Sequence, residues 1–285
     1  MRMIMLNEKE RKEIKIFSKR AQMEVVKMIA GLPAGHLGGC LSICDLLSVL
    51  YNKQMKIEPS NPEWEERDWL VDSKGHSGPA VYASLALKGY FPMEQLATLN
   101  IPHTDLPSHC DRNHTVGIDM TTGSLGQGAS LAAGVANGMK IDGRDNYVFL
   151  ILGDGEIQEG QVWEMAMHAA SRKLEHLIAF VDYNKLQIDG RTDTDSICNV
   201  GDIAAKFRSF GWYAQSVNGH DVDAIDDAIT LAKANRGCPS VIVMDTVKGY
   251  GWSKSANQVG SHSRGFTAEE KEEALAEMQR ELDRY

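Results

Sequence analysis

Between residues 128 and 246 the chain alternates short apolar runs with stretches of helical length, and this pattern restricts the possible folds more than any other feature. YVFLIL at 147–152, LIAFVD at 177–182, WYAQSV at 212–217 and SVIVMDT at 240–246 have strand length and are rich in β-branched and aromatic residues. GASLAAGVANGMK at 128–140, EGQVWEMAMHAASRK at 159–173, a segment near 202–209 and DVDAIDDAITLAKAN at 221–235 have the length and spacing of helices. Strands that are apolar almost throughout, rather than at every second position, are covered on both faces. Alternating with helices, they predict an α/β fold with a mostly parallel central sheet and helices on both faces. WLVDS at 69–73 reads as one more strand, followed by the loop KGHSG and a small-residue helix over 79–88.

The flanks fit one domain over residues 1–285, with no linker, repeat or low-complexity tract. Residues 8–30 read as a helix with Ile14, Phe17, Ala21, Val25 and Met28 on its apolar face, and DLLSVLYN as a second, buried helix. Residues 52–68, with Pro59 and Pro62, and the loop YNKLQIDGRTDTD read as surface connections. The stretch 100–124 is irregular and rich in His, Gly and Thr, and so long a loop in a compact domain is usually functional. Thr267 and Glu270 form a capping box that opens a C-terminal helix over 267–284. Gly134 and Gly138 permit close approach on an apolar helix, in the core ahead of a subunit interface.

Composition narrows the partners. With 30 Lys and Arg against 39 Asp and Glu, the formal charge is −9, which argues against a general nucleic-acid binder. No apolar run reaches the roughly 18 residues needed to cross a bilayer. The start, MRMIMLNEKERKEIK, lacks the pattern of a signal peptide. Five cysteines, odd in number and without a CxxC pair, fit reduced thiols in a cytoplasm.

The densest chemistry lies in LILGDGEIQEG at 150–160 and FVDYNKLQIDG at 180–190, each at the carboxyl end of an expected strand, where open α/β sheets place their ligand crevice. GDGEIQEG could be a degenerate dinucleotide fingerprint or an inert turn, but Gln158 replaces its third glycine. Asp154, Glu156 and Glu159 would also repel a bare pyrophosphate unless a cation lay between. Asp154 and Asn184 supply the hard oxygens that Mg²⁺ or Ca²⁺ prefers, with phosphate and water completing the shell. Four histidines, His36, His76, His109 and His262, each sit in a loop containing Gly or Ser, so a shared site is favoured over four structural roles. His103, His109, Cys110 and His114 match no structural zinc spacing, and GSLGQGAS lacks the Lys-Ser/Thr of a phosphate-binding P-loop.

GDG followed by NK resembles the thiamine diphosphate-binding motif, and the four histidines with TTGSLGQG at 121–128 resemble the transketolase family. The resemblance runs from about residue 15 to 266 and implies a thiamine diphosphate-binding fold. It implies that Asp154, Asn184 and the Leu186 carbonyl hold Mg²⁺, with Ca²⁺ or Mn²⁺ as substitutes. It also implies that Gly155, Glu156, Gly123, Ser124, Leu125 and Ile188 bind the cofactor. His76 would contact the diphosphate, His36 and His109 the ketose, and His262 both cofactor and substrate, while Glu159 would link paired active sites. Leu37 and Cys110 stand where the family usually has proline, which alters the shape of the substrate channel.

A whole transketolase carries a second, pyrimidine-binding domain that SHSRG and a short helix leave no room for. The resemblance therefore implies the N-terminal subunit of a split transketolase that transfers a two-carbon ketol unit between sugar phosphates. Its partner would be a separately encoded C-terminal subunit, in an α₂β₂ assembly. The rival expectations are a subunit of a 1-deoxyxylulose phosphate synthase-like enzyme or of a 2-oxo acid decarboxylase or dehydrogenase, and a non-catalytic thiamine-binding subunit.

Overall fold

The computed structural model describes residues 6–195 and 197–285. The first five residues, part of the stretch that lacks a signal-peptide pattern, lie outside them. Helix α1 (Glu8–Ala30) starts at a capping box in which the Glu10 amide donates to the Asn7 side chain and the Asn7 amide to the Glu10 carboxylate. It buries Ile14, Ala21, Val25 and Met28, the face expected from their spacing. The expected second helix, DLLSVLYN, is α3 (Cys44–Val49) continued by a wide π turn at Leu50–Gln54, and a short helix α2 (Gly38–Leu41) precedes it where the sequence suggested only a Gly-rich turn.

Strand β1 (Trp69–Asp72) leads through a tight turn into α4 (Gly78–Lys88). After the long irregular segment come α5 (Gln127–Ile141), β2 (Val148–Gly153), α6 (Gly160–Ser171) and β3 (Leu177–Tyr183). The loop that follows carries a small antiparallel ladder, β4 (Leu186–Gln187) with β5 (Gly190–Arg191), where the sequence suggested only a loop. Two-residue strands carry no periodicity to detect. The chain continues with α7 (Ile203–Ser209), β6 (Tyr213–Asn218), α8 (Val222–Ala234), β7 (Ser240–Asp245) and α9 (Ala268–Leu282).

The five main strands form one parallel sheet in the order β1-β2-β3-β7-β6. Alternate side chains of each strand feed two separate cores. Phe149, Ile151, Ile178, Phe180, Ile242 and Met244 meet α1, α3, α4 and α8. Val148, Leu150, Leu152, Ala179, Val181 and Val241 meet the layer of α5, α6 and α7. Burying such a side chain is worth roughly 1.5–3 kcal/mol, so a charge at any of these positions would be expected to disrupt the sheet. Helix α9 closes over α1 through Ala274 and Met278.

The register pairs Asp72 with Ile151, Gly153 with Asp182, and Tyr183 with Asp245. All strands run the same way, so their carboxyl ends share one edge of the sheet, and the loops bearing His76, Asp154 and Asn184 converge there. Gly134 and Gly138 do not lie in the core, as their spacing suggested. Both are exposed, and a side chain added at either would meet nothing within 4 Å. Among the described residues, no helix is long and apolar enough to cross a membrane.

Candidate active site

The four histidines come from four distant segments and meet at this edge. The ring centroids of His36 lie 5.2 Å from His76, 5.5 Å from His109 and 5.4 Å from His262, and those of His76 and His262 are 5.2 Å apart. Each is fixed by its backbone. Gly35 and Arg264 exchange both amide–carbonyl hydrogen bonds at 3.0 Å, laying the first and last histidine motifs side by side. His76 sits in the 3₁₀ turn Gly75–Ser77, tied down by the Ser77 hydroxyl donating to Asp72 at 2.6 Å. The irregular segment 100–124 is lashed to that turn, since the Cys110 amide donates to the Gly75 carbonyl and the Thr122 hydroxyl to the Asp72 carbonyl. Gly123, at φ 145, presses its backbone on His109, and a side chain there would come within 3.1 Å of the ring.

Beside the imidazoles lies the oxygen set. The Asp154 carboxylate is buried and accepts from the Gly155 amide at 2.9 Å, the Lys185 amide at 2.6 Å and the Thr192 hydroxyl at 2.7 Å. Burial pushes its pKa up to about 6, and nearby Asp182 adds to this against the Thr192 bond. Asn184 donates through Nδ2 to Asp182 at 3.1 Å, which orients its amide, and its Oδ1 accepts from the Leu186 amide. The Leu186 carbonyl accepts from the Lys248 ammonium at 2.8 Å, and the same ammonium lies 3.1 Å from His262 Nδ1. With Lys248 donating, His262 presents Nε2–H as a donor.

Sequence reasoning missed Lys248 and Lys74, because a lysine in a loop reads as a solvated one. Lys74 is fully buried beneath the site and donates to Asp182 at 2.6 Å and to the Gly39 carbonyl at 2.7 Å. Asp182 also accepts from Ser42 at 2.7 Å and from Thr246, so one carboxylate ties together β1, β3, β7 and α2. Burial alone would raise its pKa, but the Lys74 charge and these bonds outweigh it and hold it low. The one signal available was KG placed directly after a strand in the first case and T-V-K-G in the second.

The remaining expected residues are placed unevenly. Glu156 does not face the crevice. Its buried carboxylate accepts from Ser73, from the Gly126 amide at 2.8 Å and from the Gly153 amide at 3.0 Å, so all its bonds go to the protein. Glu159 is exposed and lies against Gly126 at the start of α5, outside the imidazole cluster. Ser124, Leu125 and Ile188 are exposed on loops around the edge. Gly155 is close to Gln187, where a side chain would come within 3.0 Å.

These donors suit a divalent ion bound together with an anion. Among the described residues, no three His, Cys, Asp or Glu side chains group to hold a metal by themselves. The protein therefore offers one carboxylate and two neutral oxygens, and phosphate oxygens would have to supply the rest. An ammonium on the Leu186 carbonyl already shows that a cation is accommodated there. The imidazoles are kept neutral. Burial, then the Lys248 charge, pushes His262 down to about 4, and burial with Lys74 holds His76 well below its ordinary value. Neutral rings can accept and return protons or donate to hydroxyl groups, which suits polyhydroxylated substrates.

Residues 17–282 match the family described as transketolase, thiamine diphosphate binding domain. The chain is 54% identical, over 89% of its length and 91% of the relative's, to the 6-deoxy-6-sulfo-D-fructose transketolase subunit SqwG of Clostridium sp. (strain MSTE9). It is 34% identical, over 94% of its length, to one of the subunits of the apulose-4-phosphate transketolase of Actinobacillus succinogenes, covering 97% of that protein. The solved transketolase of Leishmania mexicana superposes with a TM-score of 0.85 at 28% identity over 95% of this chain. This chain spans only 44% of that one.

Proposed function

Since this chain belongs to the transketolase family, through its thiamine diphosphate-binding domain, we propose that it is one subunit of a two-chain ketol transferase. It moves a two-carbon ketol unit from a ketose bearing an anionic tail to an aldose. One observation carries the proposal: Lys248 bridges His262 and the Leu186 carbonyl, so the imidazole cluster and the oxygen set form a single site. Identity of 54% to a subunit named for 6-deoxy-6-sulfo-D-fructose, against 34% to one named for apulose 4-phosphate, favours a sulfonated ketose as donor over a phosphorylated one.

When bound, thiamine diphosphate supplies the carbon nucleophile and the electron sink of the reaction. Asp154, Asn184 and the Leu186 carbonyl would hold Mg²⁺, with Ca²⁺ or Mn²⁺ as substitutes, and the ion would neutralise the charge of the diphosphate. Gly123, Ser124, Leu125, Gly155 and Ile188 line the rest of the cofactor. His262 donates from Nε2 to the donor carbonyl oxygen, and His76 contacts the diphosphate. His36 and His109 hold the sugar hydroxyls and pass the proton that leaves the 3-hydroxyl as the carbon–carbon bond opens. Leu37 and Cys110, both buried, shape the wall behind these two rings.

The partner is a separately encoded pyrimidine-binding subunit, and two copies of each chain assemble in the cytoplasm. Relatives of similar length named as subunits support this division. The test is reconstitution. The purified chain should transfer no ketol unit alone and should do so when mixed with its partner. A sulfonated ketose should be cleaved faster than its phosphorylated counterpart. Pyruvate consumption without ketose cleavage would overturn the reaction, and full activity of this chain alone would overturn the two-chain assembly.

A further inference from the structure

Beneath the imidazoles, three buried carboxyl groups surround the Lys74 ammonium: Asp72 at the end of β1, Glu156 after β2 and Asp182 in β3. They are unequally supported. Asp182 accepts from Lys74, Ser42, Thr246 and Asn184, and Glu156 from Ser73 and the Gly126 and Gly153 amides. Asp72 has only the Ser77 hydroxyl, 2.6 Å from Oδ2, and among the described residues no donor reaches its Oδ1. It borders a narrow gap, lined by Tyr51, Leu70, Val81, Cys110, Ile118 and Met120, that has no room for a water molecule. The other titratable groups facing it are Cys40 from α2, Tyr51 from the π turn, Tyr82 from α4 and Cys110 from the irregular segment. Burial pushes all four up, so they stay neutral and add no charge. A carboxyl group in such surroundings keeps its proton. Burial pushes Asp72 up to about 7, with the Lys74 charge opposing this. The hydrogen count agrees. Ser77 has one hydroxyl hydrogen and two oxygens in reach, Asp72 Oδ2 at 2.6 Å and the Lys74 carbonyl at 2.8 Å. If Asp72 is ionised, the hydroxyl can donate to only one of them. With a proton on Oδ2, the carboxyl donates to Ser77 Oγ and the hydroxyl donates onward to the Lys74 carbonyl, so both contacts are hydrogen bonds.

We propose that Asp72 is a positioning residue that works in its protonated form, its carboxyl group donating to Ser77 and so fixing the turn that presents His76. The role rests on the reading of His76 as a contact of the cofactor diphosphate. Loss of the proton to solvent turns the Ser77 hydroxyl back toward Asp72 and leaves the Lys74 carbonyl with one bond fewer. It also sets a second carboxylate in competition with Asp182 for the Lys74 ammonium. The turn is then held less firmly, and cofactor affinity falls as the pH rises past neutrality.

The test compares the wild type with Asp72→Asn, whose amide donates to Ser77 but cannot ionise, and with Asp72→Ala, which removes the donor. Asp72 gives up its proton near pH 3.9 in the unfolded chain and at about 7 in the folded one. The stability it contributes is therefore complete below about pH 4 and lost as the pH rises through about 7. In urea titrations of the full chain, the wild type should lose more stability between about pH 5.5 and about pH 8 than Asp72→Asn does. Binding of thiamine diphosphate in excess Mg²⁺ is followed by calorimetry on the full chain with its partner subunit. From about pH 6.5 to about pH 8.5 the wild type should lose about fivefold or more in affinity, and Asp72→Asn no more than about twofold. Asp72→Ala should bind weakly at both. Ionisation of the cofactor itself affects all three alike, so the comparison isolates residue 72. Equal urea profiles for the wild type and Asp72→Asn would mean that Asp72 holds no proton, which overturns the proposal. Different urea profiles with the same pH dependence of cofactor binding would overturn the positioning role. If the wild type binds no thiamine diphosphate at either pH, the cofactor reading fails and the positioning role with it, while the urea comparison still decides where the proton sits.

Discussion

At the scale of single residues, the site is a set of imidazoles kept uncharged by burial and by two ammonium groups. His262 is pushed down to about 4, by burial first and the Lys248 charge second. In the unfolded chain the same ring takes a proton near pH 6.5. Between these values the unfolded state binds a proton that the folded state does not, so this ring's contribution to stability is complete above about 6.5 and is lost as pH falls toward 4. Asp72, pushed by burial to about 7, and Asp154, pushed to about 6, work in the opposite direction. The clean readout is therefore a difference. Between pH 7 and pH 5, the wild type should lose more stability to urea than His262→Asn does, and equal losses would refute the assignment. The histidines were legible in the sequence because imidazoles in Gly-rich loops are rarely structural. Lys74 and Lys248 were not, because only the fold decides whether a loop lysine meets water or a buried carboxylate. Glu156 was misplaced for a related reason. Its neighbours in sequence point at the crevice, but the 3₁₀ turn Glu156–Gln158 turns its carboxylate inward.

At the scale of elements, that carboxylate holds the crevice edge together. It joins the end of β2 through Gly153, the start of α5 through Gly126 and the residue after β1 through Ser73. Burial raises its pKa, and the three donors oppose this. Glu156→Gln would turn an amide donor toward at least one of these groups and leave a buried N–H unpaired, at a cost of about 1–3 kcal/mol. The urea midpoint should fall accordingly while the circular dichroism spectrum of the folded chain stays unchanged. A midpoint equal to that of the wild type would show that the clamp contributes nothing. The strands and long helices were readable because their apolar spacing is repeated over many residues, and Asn7–Glu10 and Thr267–Glu270 mark two starts. The ladder of β4 and β5 was not, and neither was α2 within the Gly-rich turn. Such short pieces are set by tertiary contacts, here by Asp154 and Asn184 gripping the loop they belong to.

At the scale of the molecule, α5 and α6 pack together and bury Ala129, Ala132 and Ala136 on one helix and Val162, Met165 and Ala169 on the other. Apolar positions remain exposed on their outer faces beside Lys140, Glu164 and His168. Leu131 is 40% exposed, Met167 51% and Ile141 70%, with Gly134 and Gly138 open between them. The sequence could not say which side of α5 faced inward, because small residues line it all round and an Ala face buries as readily as a Gly face. An outward apolar stripe of this kind marks an interaction surface. In the proposed assembly of two copies of each chain, a second copy of this chain would be the occupant that suits it. Glu159 and Leu125 stand at the same end of α5, so a two-fold pairing there brings the loops of two crevices close together. The pairing must cover about 1,000 Å² or more to be stable, which needs the whole α5–α6 face rather than its glycines alone. Leu131→Glu and Met167→Glu place charges on exposed positions, so each should alter folding stability by no more than about 0.5 kcal/mol. In a dimer interface they would be buried unpaired. If the wild type sediments with two copies of each chain, as proposed, the doubly substituted chain with its partner subunit should show one copy of each. An unchanged mass would place the self-contact elsewhere on the molecule and leave this stripe to the partner.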